Sequence, residues 1–224
     1  MVTVIKDVAV DGLTVVPCRL NGPRGIVKAF LLHDAQSVVL VDSGFTEADG
    51  TRVLDALEHL GRSPADLSLC IVTHHHLDHV GGLPKLLSVA KFPVVSHAAE
   101  VEPILKTCGV QVSRTVADGE VIEAGGGARI IHMPGHTPGS IAVYHQPSQS
   151  LIAGDAIFSA GEWLIVSPDY LCEDPEQARA SVARLLSLNL PIQRVLVAHG
   201  DDVYGGVQDQ LAKILMRSRA EWAS

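Results

Sequence analysis

The stretch that decides the fold is Thr73-His74-His75-His76-Leu77-Asp78-His79-Val80-Gly81-Gly82, a polar run of four histidines and one aspartate. It follows Leu67-Ser68-Leu69-Cys70-Ile71-Val72, an apolar run too short for a helix, which predicts a buried strand. The run ends in Gly81-Gly82-Leu83-Pro84, which predicts a loop leading into a helix. The polar side chains therefore lie at the end of a strand, where functional groups are commonly placed.

The spacing of the polar residues within this run predicts two groups of metal ligands. Side chains alternate along an extended segment, so His74 and His76 project to one side and His75 to the other. Asp78 and His79 follow where the chain must turn. Two imidazoles on one flank, and a carboxylate with a third imidazole on the other, are suited to binding two adjacent metal ions. Unlike a histidine tag, the run is internal and lies between a predicted strand and helix.

Three later segments have the same character, because each places a histidine or aspartate directly after a predicted strand. They are Gly135-His136-Thr137-Pro138-Gly139-Ser140, Ala153-Gly154-Asp155 and Ala198-His199-Gly200. Proline and glycine on both sides of His136 restrict the geometry of its loop, as a metal ligand requires. The alternation of predicted strands and helices indicates an α/β protein, in which such strand ends can meet at one edge of the sheets.

In this order the four segments resemble the motifs of the metallo-β-lactamase superfamily. The resemblance extends from about Val10 to past His199, and it is closest to the glyoxalase II-like metallo-hydrolases of that superfamily. It implies an α/β fold of the αββα four-layer sandwich type. We expect residues 1–224 to form one such domain, since the sequence has no linker, repeat or low-complexity tract.

The resemblance also implies a ligand set, carried over residue by residue. His74, His76 and His136 would bind one metal, Asp78, His79 and His199 a second, and Asp155 would bridge them. Asp42, at the end of an earlier predicted strand, matches an aspartate that orients a metal ligand without binding the metal; a plain turn-forming role before Gly44 is the alternative. The cofactor expected is a pair of divalent metal ions, with zinc favoured and iron or manganese as alternatives, because no cysteine lies in a motif.

Such a pair implies a hydrolase in which a hydroxide bridging the metals attacks an ester, thioester or lactone carbonyl. Asp78 would be the catalytic residue that takes the proton and passes it to the leaving group. Two alternatives stay open. One is a mononuclear iron dioxygenase acting on a persulfide-like thiol, with His74 or His79, His136 and Asp155 as ligands. The other is a metal-binding sensor without catalysis.

The residues after Asp155 are expected to border the substrate. Glyoxalase II and the persulfide dioxygenases usually have a Gly-Cys-Gly segment there, whereas this chain has Ala160-Gly161-Glu162-Trp163. We also expect no appended helical domain after His199. The sequence therefore favours a substrate other than a glutathione thioester. Phe158, Trp163 and Tyr170 are candidates for an apolar pocket, and Lys28, on an early loop, for binding a substrate carboxylate.

Composition restricts the partners to a small-molecule substrate. A net charge of −8 over 224 residues argues against a nucleic-acid surface, and no apolar run is long enough to span a membrane. The four scattered cysteines and a charged pair near the amino terminus favour free thiols and a cytoplasmic location. The oligomeric state does not follow from the sequence.

Overall fold

A six-stranded sheet forms the first half of the chain in a computed structural model that describes residues 12–19, 26–161 and 163–217. Its strands lie side by side in chain order: β1 (Leu13–Arg19), β2 (Ile26–His33), β3 (Val38–Val41), β4 (Leu67–Ile71), β5 (Val94–His97) and β6 (Arg114–Val116). The first three are antiparallel neighbours, and β3 to β6 run parallel. The parallel strands therefore end at the same edge, which places the segments after β4 and β5 next to each other.

The second half forms a five-stranded sheet and a separate two-stranded hairpin. The strands are β7 (Val121–Ile122), β8 (Ala128–His132), β9 (Ile141–His145), β10 (Ser150–Ile152), the hairpin pair β11 (Ile157–Ala160) and β12 (Trp163–Val166), and β13 (Arg194–Leu196). The sheet has the order β13-β10-β9-β8-β7 and is antiparallel except between β10 and β13. The hairpin begins directly after the loop that contains Asp155.

Six α-helices connect or cover these strands within the described residues: α1 (Glu47–His59), α2 (Leu77–Val80), α3 (Leu83–Val89), α4 (Val101–Cys108), α5 (Pro175–Ser187) and α6 (Val207–Arg217). Local sequence sets their starts. The Asp49 carboxylate accepts a hydrogen bond from the Thr46 amide before α1, and Asp174 accepts one from the Gln177 amide at α5. In the part of the chain that the structure describes, no helix has the length and apolarity needed to cross a membrane.

Three apolar clusters show four layers. Between the two sheets, Phe30 and Ile71 of the first sheet are buried with Ile130 of the second. Outside the first sheet, Val53 of α1 and Leu86 of α3 pack on its other face. Outside the second sheet, Val182 of α5 and Leu211 of α6 pack on its other face. Since neighbouring strand residues point to opposite faces, a central strand serves two clusters, as β2 does with Leu31 on the outer face and Leu32 between the sheets. The predicted αββα sandwich is confirmed.

The structure differs from the sequence-based expectations in a few places. Asp78 and His79 lie in the short helix α2 and not in an irregular turn. The β11–β12 hairpin has no counterpart among the predicted elements. The sequence also predicts a first hairpin strand at Val8-Ala9-Val10, before Asp11-Gly12, and a closing helix from Val207 to Trp222. That strand, and the part of the helix beyond Arg217, fall outside the described residues. All four cysteines are free, as expected.

Candidate metal centre

Four loops that leave strand ends converge at one edge of the sandwich. One follows β4 of the first sheet, and the other three follow β8, β10 and β13 of the second sheet. They bring together all seven residues predicted as metal ligands: His74, His76, Asp78, His79, His136, Asp155 and His199. The site is therefore built from both sheets, with neither able to supply the whole set.

Three of these histidines form one compact group. The Nε2 atom of His74 lies 3.1 Å from Nδ1 of His76, and Nε2 of His136 lies 3.2 Å and 3.0 Å from those two atoms. A tetrahedral zinc ion with bonds of about 2.0–2.1 Å places its nitrogen ligands about 3.3 Å apart. The spacing of the three ring nitrogens thus fits a single ion bound between them.

A second group lies beside the first and shares Asp155 with it. Nε2 of His199 lies 3.2 Å from the Oδ2 atom of Asp78, and Nε2 of His79 lies 3.3 Å from Oδ1 of Asp155. The other oxygen of Asp155, Oδ2, is 3.6 Å from Nε2 of both His136 and His199. Asp155 therefore lies between the two groups, as a bridging carboxylate would.

Two atoms of this centre are left without hydrogen bonds. Among the described residues, Nε2 of His79 and Oδ1 of Asp155 are the buried side-chain polar atoms that have no hydrogen-bond partner. They lie 3.3 Å from each other, an ion-pair distance without hydrogen-bond geometry, and burying polar atoms without hydrogen bonds costs free energy that folded proteins normally avoid. A cation between these groups would satisfy both atoms, so the donor set fits divalent metal binding.

Neighbouring polar side chains fix the orientation of the imidazoles. Asp42 is completely buried, and its carboxylate accepts hydrogen bonds from the Thr73 amide (2.8 Å), the Thr73 hydroxyl (2.7 Å) and Nδ1 of His79 (2.7 Å). Nδ1 of His74 is 3.2 Å from the Thr73 hydroxyl, and Nδ1 of His136 is 3.3 Å from that of Ser167. Each contact occupies the Nδ1 atom and leaves Nε2 facing the centre.

Burial and neighbouring charges set the protonation of the centre. Burial lowers the pKa of His74 far below its usual value and that of His136 to about 4, the latter against the opposing effect of Asp155. Burial also disfavours the charged form of His79, but Asp42 and Asp155 outweigh it and raise the pKa. Burial lowers the pKa of His76 as well. The three-histidine group is therefore largely neutral at pH 7, whereas metal binding at His79 must release a proton.

The predicted pocket residues have different surroundings. The Phe158 ring stacks on the His199 ring at a centroid distance of 5.7 Å, which places it beside the second group. Trp163 is 46% exposed, with the Arg217 guanidinium 4.0 Å from its ring centroid, and Tyr170 is 72% exposed. Phe158 therefore contacts a candidate metal ligand directly, and the roles of the other two in substrate binding stay predictions.

Lys28 has a different position from the one expected, because it lies within β2 and not on a loop. Its ammonium donates hydrogen bonds to the carbonyl oxygens of Val197 (3.1 Å) and Gly200 (2.7 Å) and to the Asp202 carboxylate (2.7 Å). An ammonium has three donors, and all three are used here. Lys28 therefore supports the loop that carries His199, and it has no hydrogen left for a substrate carboxylate.

Sequence reasoning missed two residues that shape the centre, Glu100 and Ser167. Glu100 is buried against the loops on both sides of the three-histidine group, and Ser167 lies behind His136. Both are distant in sequence from the motifs they contact. A lone glutamate after a strand and a lone serine before a proline give no signal by which they could have been found.

Comparison with known proteins identifies the family. Residues 22–199 match the family model described as the metallo-beta-lactamase superfamily. The chain belongs to the metallo-beta-lactamase superfamily. Over 193 residues it is 33% identical to a hydroxyacylglutathione hydrolase from Synechococcus sp. (strain JA-2-3B'a(2-13)), a match that covers 77% of this chain and 69% of that protein. The chain is thus a metal-dependent hydrolase of the glyoxalase II-like branch.

Solved structures of superfamily members share the fold. A metallo-beta-lactamase from Pontibacter korlensis matches with a TM-score of 0.79 at 17% identity, covering 94% of this chain and 96% of that one. A metallo-beta-lactamase family protein from Thermus thermophilus matches with a TM-score of 0.73 at 23% identity, covering 93% and 80%. At these identities the likeness supports the fold assignment alone.

Proposed function

We propose that this superfamily member is a binuclear hydrolase that cleaves a thioester, and more broadly an ester or lactone, with zinc as the favoured metal. The observation that supports it most is the convergence of seven ligand-type side chains around two buried atoms without hydrogen bonds, Nε2 of His79 and Oδ1 of Asp155. When bound, two divalent cations lower the pKa of a shared water towards 7 and polarise a carbonyl.

The chain's own residues would divide the remaining work. Asp78 would accept the proton of the attacking water. In the metal-free protein, burial raises the pKa of Asp78, but the hydrogen bond from His199 and the charge of His79 hold it well below its usual range. A cation bound in place of the His79 proton would keep the carboxylate ionised in the same way, and the ionised form is the one that accepts a proton. Asp155 holds the two groups of ligands together. Hydrolysis adds water across the C–S bond, so that the acyl group leaves as a carboxylic acid and the thiol receives the proton.

The relatives favour the thioester among the three carbonyl classes. The similar Synechococcus protein is named a hydroxyacylglutathione hydrolase, a name that denotes a glutathione thioester as substrate. The sequence after Asp155 points away from glutathione, because Ala160-Gly161-Glu162-Trp163 replaces the segment expected there. We therefore propose a thioester as the substrate class, and the assay below identifies the thiol half of the substrate.

The test is hydrolysis by protein stripped of metal and reloaded with Zn²⁺, Mn²⁺ or Fe²⁺. The panel contains a hydroxyacyl glutathione thioester, the same acyl group on a small thiol, an aryl ester and a lactone. We expect thioester cleavage that depends on added metal and two metal ions per chain by elemental analysis. His136→Ala and Asp155→Ala should lose metal and hydrolysis together, whereas Glu102→Gln, at an exposed site on α4, should behave as wild type.

Two results would contradict this proposal. Full activity in the metal-stripped protein would exclude a metal-dependent reaction, and normal metal content in Asp155→Ala would remove its bridging role. Preference for glutathione over the small thiol would identify the thiol as part of the recognition. Equal rates would show that recognition is confined to the acyl group.

One arrangement in the structure favours an alternative. The sequence-based alternative uses His74 or His79 with His136 and Asp155; in the structure the ligand atoms of His74, His79 and Asp155 lie within 4.8 Å of one another, so this triad has both of the first two histidines in place of His136. Two imidazoles with one carboxylate are the ligand set of mononuclear iron oxygenases. One iron per chain with oxygen uptake on a persulfide would support that reaction. Two zinc ions without oxygen uptake would support hydrolysis, and metal binding without turnover of any substrate would support a sensor.

The four free cysteines favour a reducing compartment, and we propose the cytoplasm. The acidic net charge of −8 favours a small-molecule substrate over a nucleic acid. Retention of the free thiols in protein isolated from cells, measured by mass spectrometry after alkylation, would test the compartment.

A further inference from the structure

We propose that Glu100 is a positioning residue that ties together the two loops carrying the three-histidine group before any metal binds. Glu100 lies outside the sequence motifs and does not touch the centre itself. The proposal goes beyond the proposed substrate, but it rests on metal binding at His74, His76 and His136.

The contacts of Glu100 connect both loops through one carboxylate. Its Oε2 atom accepts hydrogen bonds from the amide (2.9 Å) and from Nδ1 (2.6 Å) of His75, which lies between the ligands His74 and His76. Its Oε1 atom accepts hydrogen bonds from the Thr137 hydroxyl (2.8 Å) and the Gly139 amide (2.8 Å) in the loop of His136. Each oxygen therefore serves one loop.

Burial makes this connection strong and specific. Glu100 is 0% exposed, and so its carboxylate depends on these four donors for solvation. Hydrogen bonds to an ionised carboxylate are shorter and stronger than those between neutral groups. The fit is also tight, because a Cβ added to Gly139 would lie 2.5 Å from Oε1 of Glu100.

The sheet order explains how a residue 25 positions away reaches the histidine run. Glu100 follows β5, which pairs in parallel with β4, so the segments after the two strands leave the same edge. The Thr137 loop belongs to the second sheet. Glu100 therefore bridges the sheets directly behind His74, His76 and His136, and it fixes the separation of their loops. His75, whose ring nitrogen is bonded to Glu100, is the link on the first loop.

The test compares Glu100→Gln with wild type and with Glu102→Gln, which changes an exposed glutamate of α4 that pairs with Lys106. A glutamine has only one oxygen, so it can serve one loop and turns an N–H group towards the donors of the other. In metal-free Glu100→Gln we expect faster amide hydrogen exchange over residues 74–80 and 135–140. We also expect Co²⁺ binding weakened about 10–100-fold, with an altered visible spectrum of the bound ion.

A milder pair of variants guards against a folding defect. Thr137→Val removes the hydroxyl donor at constant shape. It should speed amide hydrogen exchange and weaken Co²⁺ binding, as Glu100→Gln does, but by a smaller factor. Thr137→Ser keeps the donor and should restore wild-type values. A purely structural role would lower thermal stability and leave the affinity and spectrum of Co²⁺ unchanged.

The outcomes separate this inference from the proposed function. If wild type binds no Co²⁺, both fail. If wild type binds Co²⁺ and Glu100→Gln or Thr137→Val binds it equally well with the same spectrum, the positioning role of Glu100 is wrong while the metal centre stands.

Discussion

The histidines of the centre differ in which ring nitrogen faces it. His74 and His136 direct Nε2 inward, whereas His76 directs Nδ1. The inward Nε2 atoms follow from partners behind the rings, the hydroxyls of Thr73 and Ser167. A ring whose Nδ1–H donates to an oxygen has a lone pair on Nε2, which is the form that binds a metal. Single hydroxyl groups thus set the tautomers on which the centre depends.

Substitution of Asp42 tests whether its carboxylate orients the His79 ring for metal binding. We expect Asp42→Asn to weaken metal binding at the His79 group about 10–100-fold, because the amide is neutral and cannot accept all three hydrogen bonds. The backbone of Asp42 has φ = 57°, a left-handed conformation that asparagine tolerates well, so strain should not contribute. Competition titration with a zinc chelator measures the effect. An unchanged affinity would show that Asp42 merely shapes the turn.

The Lys28–Asp202 pair predicts a stability effect at a distance from the chemistry. The two side chains are 11% and 8% exposed, and Lys28→Met leaves the Asp202 carboxylate buried without its cation. Removing one partner of a buried pair costs about 3–5 kcal/mol of unfolding free energy. Urea unfolding of the metal-free protein measures the loss.

The matched control for this pair is the double variant Lys28→Met with Asp202→Asn, which removes the uncompensated charge. Asparagine can still accept the hydrogen bond from the Val197 amide. We expect part of the stability to return. If Lys28→Met instead raises KM with no loss of stability, the lysine binds substrate after all.

At the scale of elements, the start of α5 holds the loop of His136 in place. The amides of Asp174 and Glu173 donate to the carbonyl oxygens of Gly135 and His136, at 2.9 Å and 3.2 Å. Gly135 has φ = 137°, and a Cβ there would lie 2.2 Å from the backbone nitrogen of Ala178 in α5. Only glycine permits the helix and the loop to approach so closely.

Gly135→Ala should therefore damage the centre through the helix. The clash with backbone and the unfavourable φ together cost about 2–6 kcal/mol, and the displaced His136 should reduce metal content. The matched control is Gly109→Ala at the end of α4, where φ is 73° but no atom lies within 4 Å of the added carbon. That variant should lose about 1–2 kcal/mol and keep its metal. Equal metal loss in both variants would exclude the clash as the cause.

Elements with local signals are predictable from the sequence, and contacts between distant segments are not. Helix α1 is recognisable from Thr46 and Asp49, three residues apart, and the structure begins it at Glu47. The metal motifs are recognisable because each places its ligand at a strand end. The loops that carry those ligands are held by contacts between distant residues, such as the hydrogen bond from Lys28 to Gly200, which are 172 residues apart. No local sequence pattern predicts such a contact.

At the scale of the whole molecule, the centre connects the two sheets. His74, His76, Asp78 and His79 come from the first sheet, and His136, Asp155 and His199 come from the second. The apolar layer already holds the sheets together, and a bound metal would therefore add short, rigid bonds between the two halves of the sandwich. That residues 1–224 form one domain stays a prediction, which this connection supports.

Metal removal should consequently lower the stability of the entire fold. A ligand that binds only the native state at 100 times its dissociation constant adds about 2.7 kcal/mol per site, so two sites add about 5 kcal/mol. We expect Zn²⁺ to raise the midpoint of thermal unfolding relative to protein dialysed against a chelator, and to do so in a single transition because the ions join both sheets. His136→Ala should lose the part that comes from the three-histidine group, while Glu102→Gln should keep the full shift. Hydrogen exchange at β8 and β9 measures the unfolding of the second sheet. If that exchange is the same with and without Zn²⁺, the ions do not couple the sheets and the ligands of the second sheet do not bind metal.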